Sequence, residues 1–250
     1  IGLYTLILRE CLRFLSIWMQ TVVAPVLTAI MFILIFNIAI GESRGEVLGQ
    51  RFLVFITPGI IMMTVIQNAF ANSSSSIIAA KVQGNIVDTL MPPLSPLEMM
   101  FGYLSGSVFR GLLIAIVLLM SMLVFFSQPL YAPWLVLIFV LLGSALLGAL
   151  GIVSAIFANK FDQLSAITNF IITPLAFLSG SFYSIEAVPD GLKSLMLYNP
   201  IFYLIDGMRY SVIGVSDSPL VISVAVSVLF LFFTFVLGWW MFKKGYRLKA

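Results

Sequence analysis

The chain is a succession of long apolar runs that carry almost no charge, and this constrains its fold more than any other feature. The runs from Ile17 to Ile40, Phe52 to Ala79, Leu97 to Phe126, Trp134 to Ala158 and Leu220 to Phe242 are each long enough to cross a membrane. A hydrocarbon core of roughly 30 Å needs about 20 apolar residues in helical form, and backbone polar groups in lipid must be bonded within the segment itself. A shorter run, Leu164 to Tyr183, holds Thr173-Pro174 near its centre and is barely long enough to span. The composition agrees, with 61% hydrophobic residues, 9% charged and a mean hydropathy of +1.13, far from the roughly one-quarter charged residues of soluble domains. These runs predict an all-α integral membrane protein with six transmembrane helices and no room for a sizeable soluble domain.

The connecting segments carry the rest of the information. Ile1 to Ser16 sets Leu3, Ile7, Leu8, Leu12 and Leu15 at helical spacing, with Arg9, Glu10, Arg13 and Ser16 largely on another face. That pattern predicts an N-terminal interfacial helix lying in the membrane surface. It has charges in its middle and no small-residue cleavage site, so no signal peptide is expected. Ala80 to Phe101 is the longest polar interruption of the first half, with the loop itself at Ala80 to Leu94. Gln83, Gly84, Asn85 and Asp88 lie there among Val82, Ile86, Val87 and Leu90, which predicts a short amphipathic helix stopped by Pro92 and Pro93. Ser95-Pro96-Leu97-Glu98 then reads as a fresh start, with Ser95 as N-cap, Pro96 at the first helical position and Glu98 at the capping-box position. Between Ser184 and Ser218 the apolar pieces are only about 10 residues long. Pieces of that size are re-entrant or interfacial rather than spanning, so two short helices are expected, about Asp190 to Tyr198 and Phe202 to Ile213.

With six spans both termini lie on one side. Arg9, Arg13, Lys81, Arg110, Lys160, Lys243, Lys244, Arg247 and Lys249 fall on that side or next to it, against Arg44, Arg51, Lys193 and Arg209 on the other. The excess of cations assigns both termini, the Ala80 to Leu94 loop and the tail from Lys243 to Ala250 to the cytoplasm, and the Ser184 to Ser218 region to the outside. The net charge of +3 therefore reflects membrane orientation, and no nucleic-acid partner is expected. Histidine is absent and Cys11 is the single cysteine, which removes His-based catalytic sets and the usual metal-ligand clusters. The sequence holds no G-x-x-x-x-G-K-[ST] phosphate loop. Neither a catalytic site nor a metal site is expected, and any ATP energy has to come from another polypeptide.

Several polar residues fall inside the apolar runs. Gln67, Asn68, Asn72 and Ser76 in the second span either line a pathway or hydrogen-bond neighbouring helices. Gly102, Gly106 and Arg110 recur every fourth residue along one face of the third span, two small residues followed by a cation. Arg110 has two readings, a contact to an anionic headgroup or substrate, or a cation that packs against Glu98 of a partner or snorkels. Asp206 and Arg209 are spaced to pair on one short helix. The fourth span carries Gly143, Ser144, Gly148 and Gly151, which allow close helix approach.

Four stretches in order, FITPGIIMMTVIQNAFAN (Phe55 to Asn72), DTLMPPLSPLEMMFG (Asp88 to Gly102), ITPLAFLSGSFYSIEAVP (Ile172 to Pro189) and LYNPIFYLIDGMRYSVIG (Leu197 to Gly214), resemble the ABC-2 type membrane permeases of bacterial ABC exporters. The resemblance implies an inner-membrane permease subunit, powered by separate ATPase subunits in two copies that carry the ATP and Mg, with the permease itself forming a homodimer. The cargo so implied is an amphiphilic, lipid-linked or drug-like molecule moved outward. In such permeases the loop between spans two and three is a coupling helix seated on the ATPase, which falls here on Lys81, Gln83, Gly84, Asn85, Ile86, Asp88 and Leu90. The Ser184 to Ile213 region matches a pair of external re-entrant helices, with Asn199, Pro200, Asp206 and Arg209 as gate candidates. Two other readings of the residues stay open: a channel or facilitator that needs no ATPase, and a scaffold for envelope assembly.

Overall fold

The computed structural model describes residues 1–40, 45–126 and 130–247, without the side chains of Ile40, Leu90, Phe125 and Phe126. Leu90, Arg44 and Lys249, on which expectations above also rest, therefore lie wholly or by their side chains outside the described residues. The described residues are mostly helical, with a minimal hairpin in which Glu46–Val47 (β1) pairs antiparallel with Gln50–Arg51 (β2). Among the described residues, five helices are long and apolar enough to cross a membrane, at Met19–Ala39, Phe52–Val82, Pro96–Val124, Pro133–Phe157 and Leu220–Lys244.

Helix α1 spans Gly2–Leu15 and α2 spans Ala24–Ile40, joined through a π-helical turn at Met19–Val23. Helix α3, Phe52–Val82, is 31 residues and about 46 Å long. It is buried on nearly all sides, between α2 and the helices Pro96–Phe126, Pro133–Phe157 and Pro200–Ile213. That position explains its lack of amphipathic pattern: a helix walled by protein all round has no solvent or lipid face to mark. Helix α4, Ile86–Leu90, follows it, and then α5, Pro96–Phe126, and α6, Pro133–Phe157. The start of α5 is capped as its sequence dictates. The Ser95 N–H donates to Glu98 Oε2 at 2.7 Å and the Glu98 N–H donates to Ser95 Oγ at 3.3 Å, a reciprocal capping box.

The fifth apolar run is helical from Phe161 to Phe177, in three pieces: α7 (Phe161–Ile167), a π-helical turn (Thr168–Ile172) and α8 (Thr173–Phe177). Its length is about 25 Å, and it is not among the five helices long enough to span. The π turn comes just before Pro174, whose ring and missing N–H disturb the regular ladder there.

The remaining elements are α9 (Asp190–Leu197), α10 (Pro200–Ile213) and α11 (Leu220–Lys244). Helix α10 is buried over almost its whole length. It runs antiparallel to the first turns of α6: Gly207 lies against the Phe139 ring, Leu204 lies near Gly143, and the N–H groups of Tyr131 and Ala132 donate to the Val212 and Ser211 carbonyls at 3.0 and 2.8 Å. Gly143 is about 15 Å along α6 from its first residue, so the N-terminal half of α10 begins deep within the bundle. Asn199 holds that end, accepting from the Ile201 N–H at 3.1 Å and donating to Leu175 O and Ser179 Oγ, each at 2.8 Å.

Packing between the long helices rests on close backbone approach. At Gly151 an added Cβ would stand 2.6 Å from the Phe70 carbonyl oxygen, and Ser73 Oγ donates to Gly148 O at 2.7 Å across the same seam. Small residues let α3 and α6 touch at the backbone, the packing expected where lipid supplies no hydrophobic drive between helices.

The N-terminal helix departs from its expected face. Its buried stripe is Leu6, Glu10 and Phe14, while Leu8 and Leu12 are exposed. The reason is the small-residue face of α5: Gly102 receives Leu6, Gly106 receives Glu10, and Phe14 packs at a tilt against Phe109 with ring centroids 5.8 Å apart. The helix therefore runs alongside the start of α5 with its central carboxylate turned inward, rather than with all its charges facing away from the protein.

Candidate functional site

The loop between α3 and α5 forms an exposed knob. Gly84, at φ +75°, ends α3 in the left-handed region that only glycine enters freely. Its N–H donates to Lys81 O at 3.2 Å. Beyond it Ile86 and Thr89 turn inward, while Gln83, Gly84, Asn85, Val87 and Asp88 are exposed. The single short helix expected over this loop is thus divided, with Val82 still in α3 and α4 confined to five residues. Three exposed apolar residues belong to the same knob, Val82 and Val87 from the apolar spacing of the expected helix and Met91, which the sequence did not single out; they are 50, 53 and 77% exposed. Their signal is position, since apolar side chains on a loop tip have no core to enter.

Two contacts fasten the knob to the bundle. Arg9 Nη1 on α1 donates to Thr89 Oγ1 at 3.0 Å, and a groove of about 240 Å³ between α1 and the knob is lined by Gly2, Thr5, Leu6, Arg9, Asp88, Thr89, Pro92 and Leu94. Lys81, on the last turn of α3, points the other way. Its ammonium donates to the carbonyls of Ala155, Ile156 and Ala158 at 3.3, 2.8 and 2.5 Å. Those carbonyls have no intrahelical partners at the end of α6, and a cation there also meets the negative end of the helix dipole. Arg247 adds a bond to Phe157 O at 3.0 Å. The ends of α3, α6 and α11 are therefore tied together on the same side as the knob.

The polar residues of α3 divide between two environments. Asn68, Asn72 and Ser76 form a stripe one turn apart that faces α1 and α5. Ser76 Oγ donates to Glu10 Oε1 at 2.8 Å, Arg13 Nη2 donates to Asn72 O at 2.7 Å and to Asn72 Oδ1 at 3.1 Å, and Arg110 Nη2 donates to Asn68 Oδ1 at 2.5 Å. Glu10, with no exposure, is shared by Arg9 at 3.1 Å and Arg13 at 3.5 Å. Gln67, by contrast, opens with Asn68 onto a cavity of about 350 Å³ between the α2 segment, α3 and α8, lined also by Gln20, Thr28, Phe32, Ile60, Met63, Thr64 and Phe177. Asn68 is thus common to the stripe and the cavity. Arg110 pairs within the chain, through Asn68, and Glu98 is held by its own capping box.

At the far end of the bundle, α10 carries a closed ionic cluster. Arg209 is wholly buried, with Asp206 Oδ1 at 3.4 Å and Asp217 Oδ2 at 3.3 Å, a bond to the Gly180 carbonyl, and the Phe55 ring 4.0 Å from its guanidinium carbon. Asp206 further accepts from the N–H groups of Asp217 and Ser218 at 2.8 and 2.9 Å and from Ser218 Oγ at 2.6 Å. Asp217 also accepts from Ser184 Oγ. The Asp206–Arg209 spacing was legible in the sequence, whereas Asp217 joins from the following loop. Pro200 starts α10 next to its Asn199 cap. Asn199 and Pro200 therefore stand at the inner end of α10, apart from Arg209. No group of three or more His, Cys, Asp or Glu side chains that could hold a metal ion occurs among the described residues.

Residues 2–213 match the family model described as ABC-2 type transporter. The inner membrane transport permease YadH of Escherichia coli strain K12 is 36% identical over 242 residues, covering 97% of this chain and 94% of its own length. Nodulation protein J of Rhizobium leguminosarum bv. viciae is 28% identical over 88 residues, about a third of each chain.

Proposed function

This chain is a multi-pass transport permease of the ABC-2 type transporter family, and from that premise we propose that it is the membrane half of an ATP-driven exporter. In this reading six segments cross the inner membrane, with the broken helix Phe161–Phe177 as the fifth, and both termini face the cytoplasm. The helices α9 and α10 enter and leave from the outside. Two copies form the pathway between them and two ATPase subunits sit on the cytoplasmic face. ATP and Mg belong to those subunits. This chain offers no phosphate loop to hold them, so its work is mechanical: to receive a movement, transmit it and change which side of the cavity is open. The cargo is an amphiphile, for which the cavity supplies apolar walls and the amides of Gln67 and Asn68.

The observation that carries this reading is the knob. Exposed Gln83, Gly84, Asn85, Val87 and Asp88 offer a mixed polar and apolar tip to a partner, while buried Ile86 and Thr89 and the Arg9–Thr89 bond join the tip to α1. Lys81 fastens the same end of α3 to α6. A push on the tip therefore reaches three helices at once. The test is Val87→Asp combined with Asp88→Lys, studied with the ATPase that co-purifies with the chain. ATP hydrolysis by the complex is expected to persist while ATP-driven movement of cargo into vesicles falls at least tenfold. Unchanged transport in a complex that assembles normally would remove the coupling role.

A further inference from the structure

Among the described residues, Arg110 is a buried cation with no counter-ion. It is 7% exposed, it lies in the middle of a membrane-crossing helix, and its Nε has no hydrogen-bond partner among those residues. Its one bond is to the neutral Asn68 carboxamide. The nearest acidic group along the same stripe, Glu10, is already held between Arg9 and Arg13. Arg13 adds a second positive charge to the surroundings of Arg110. One turn toward α4, Asn72 Nδ2 is also buried and unpartnered. Uncompensated charge at this depth is costly, and such residues face protein or a pathway where something pairs with them.

What separates Arg110 from the cavity is Asn68, which lines the cavity with one side and accepts from Arg110 with its carboxamide oxygen. The cavity lining holds no Asp, Glu, Lys or Arg, only amides, hydroxyls and apolar side chains. A rotation of the Asn68 side chain would place the guanidinium at the cavity edge as its single charge. We propose that Arg110, covered by Asn68 until that side chain turns aside, is the receiving site for one anionic head group, a phosphate ester carried on an apolar tail, with the tail against Phe32, Ile60, Met63 and Phe177. A guanidinium matches an oxyanion with paired donors, and in a site removed from water that attraction is far stronger than at a surface. This names the charge of the molecule for the cavity assigned above, and so rests on that reading for its cargo. A phospholipid of the surrounding membrane carries the same head-group chemistry.

The experiment measures equilibrium binding to the purified full chain in phosphatidylcholine vesicles, using dodecyl phosphate, dodecyltrimethylammonium and dodecyl maltoside as probes. Wild type is expected to bind dodecyl phosphate at least tenfold more tightly than the cationic or neutral probe. Arg110→Gln should abolish that preference and Arg110→Lys should keep most of it. Asn68→Ala supplies the discriminating variant, because it frees the guanidinium: phosphate binding should be retained or strengthened, whereas a merely structural Arg110–Asn68 bond predicts weaker binding. It also carries the test should Arg110→Gln fail to fold. Replacing part of the vesicle lipid with phosphatidylglycerol separates the sources: displacement of dodecyl phosphate makes the occupant a membrane lipid, and persistence makes it a cargo head group. Wild type without a preference for the phosphate probe, or a preference that survives Arg110→Gln, overturns the proposal. ATP-driven transport is measured separately, so a chain that keeps the preference but moves nothing retains the site and loses the exporter reading.

Discussion

Replacing Arg209 by methionine, similar in length and without charge, exposes the logic of the α10 cluster. The guanidinium is wholly buried between Asp206 and Asp217, at 3.4 and 3.3 Å. Its removal leaves two carboxylates facing each other without a cation. Breaking a buried pair from one side costs about 3–5 kcal/mol, because the remaining charge stays desolvated. Asp206 keeps three donors, from Asp217 and Ser218, so most of the cost falls on Asp217, which is left with Ser184. Asp217→Asn should therefore change sign with background. Alone it takes a charged partner from Arg209 and costs about 1–3 kcal/mol; added to Arg209→Met it relieves the repulsion and should cost nothing or restore stability. The assay is reversible unfolding in mixed micelles, titrated with sodium dodecyl sulfate, on wild type, both single variants and the double variant. A coupling energy in the range of about 0.5–3 kcal/mol between the two positions is expected. Additive effects within about 0.5 kcal/mol would refute the claim that this cluster acts as one ionic unit.

Gly106→Val should destabilise by about 1–3 kcal/mol by overpacking, since a Cβ there already stands 2.8 Å from Glu10 Cβ and 2.9 Å from Asn72 Nδ2. The same unfolding titration checks it, with Gly191→Ala, where an added Cβ meets nothing within 4 Å, as the tolerated control. Cys11 on α1 is partly buried, and burial, with the Glu10 carboxylate as a second cause, pushes its thiol pKa up. Alkylation of native Cys11 should then be slow at neutral pH, with its rate rising at higher pH than for an ordinary thiol of about 8.5. Denaturation should shift the profile back down; a native profile matching the denatured one would contradict the assigned environment.

The long apolar runs and the capping box at Ser95 could be read directly, because both depend on local chemistry that neighbours do not override. The start of α5 at Pro96 and the Asp206–Arg209 pair follow from the same kind of short-range rule. The face of α1 could not be read in this way. Its sequence supports two helical stripes, Leu8 with Leu12 and Leu6 with Phe14, and only the glycines of α5 decide which turns inward and carries Glu10 with it. Lys81 sits beside the exposed knob in sequence, but the helix continues to Val82 and aims its ammonium at the end of α6. That partner is more than 70 residues away, so no local pattern could indicate it. Gln67 and Asn68 are adjacent, and helical geometry sends neighbours to different faces; which of them meets Arg110 depends on the packing of α3 against α5.

The claim on which the functional account stands is that the knob between α3 and α5 touches an ATP-hydrolysing neighbour on the cytoplasmic side. Val87, exposed at its tip, is the position from which to measure this, as Val87→Cys in a chain whose single native cysteine is replaced by Cys11→Ser. The modified thiol is reacted in inverted membrane vesicles with a reagent carrying a maleimide and a photoreactive group. The account predicts a cross-linked adduct between this chain and a protein that bears a nucleotide-binding phosphate loop. Absence of that adduct, with the same thiol labelled instead by an impermeant maleimide from outside intact cells, would contradict it.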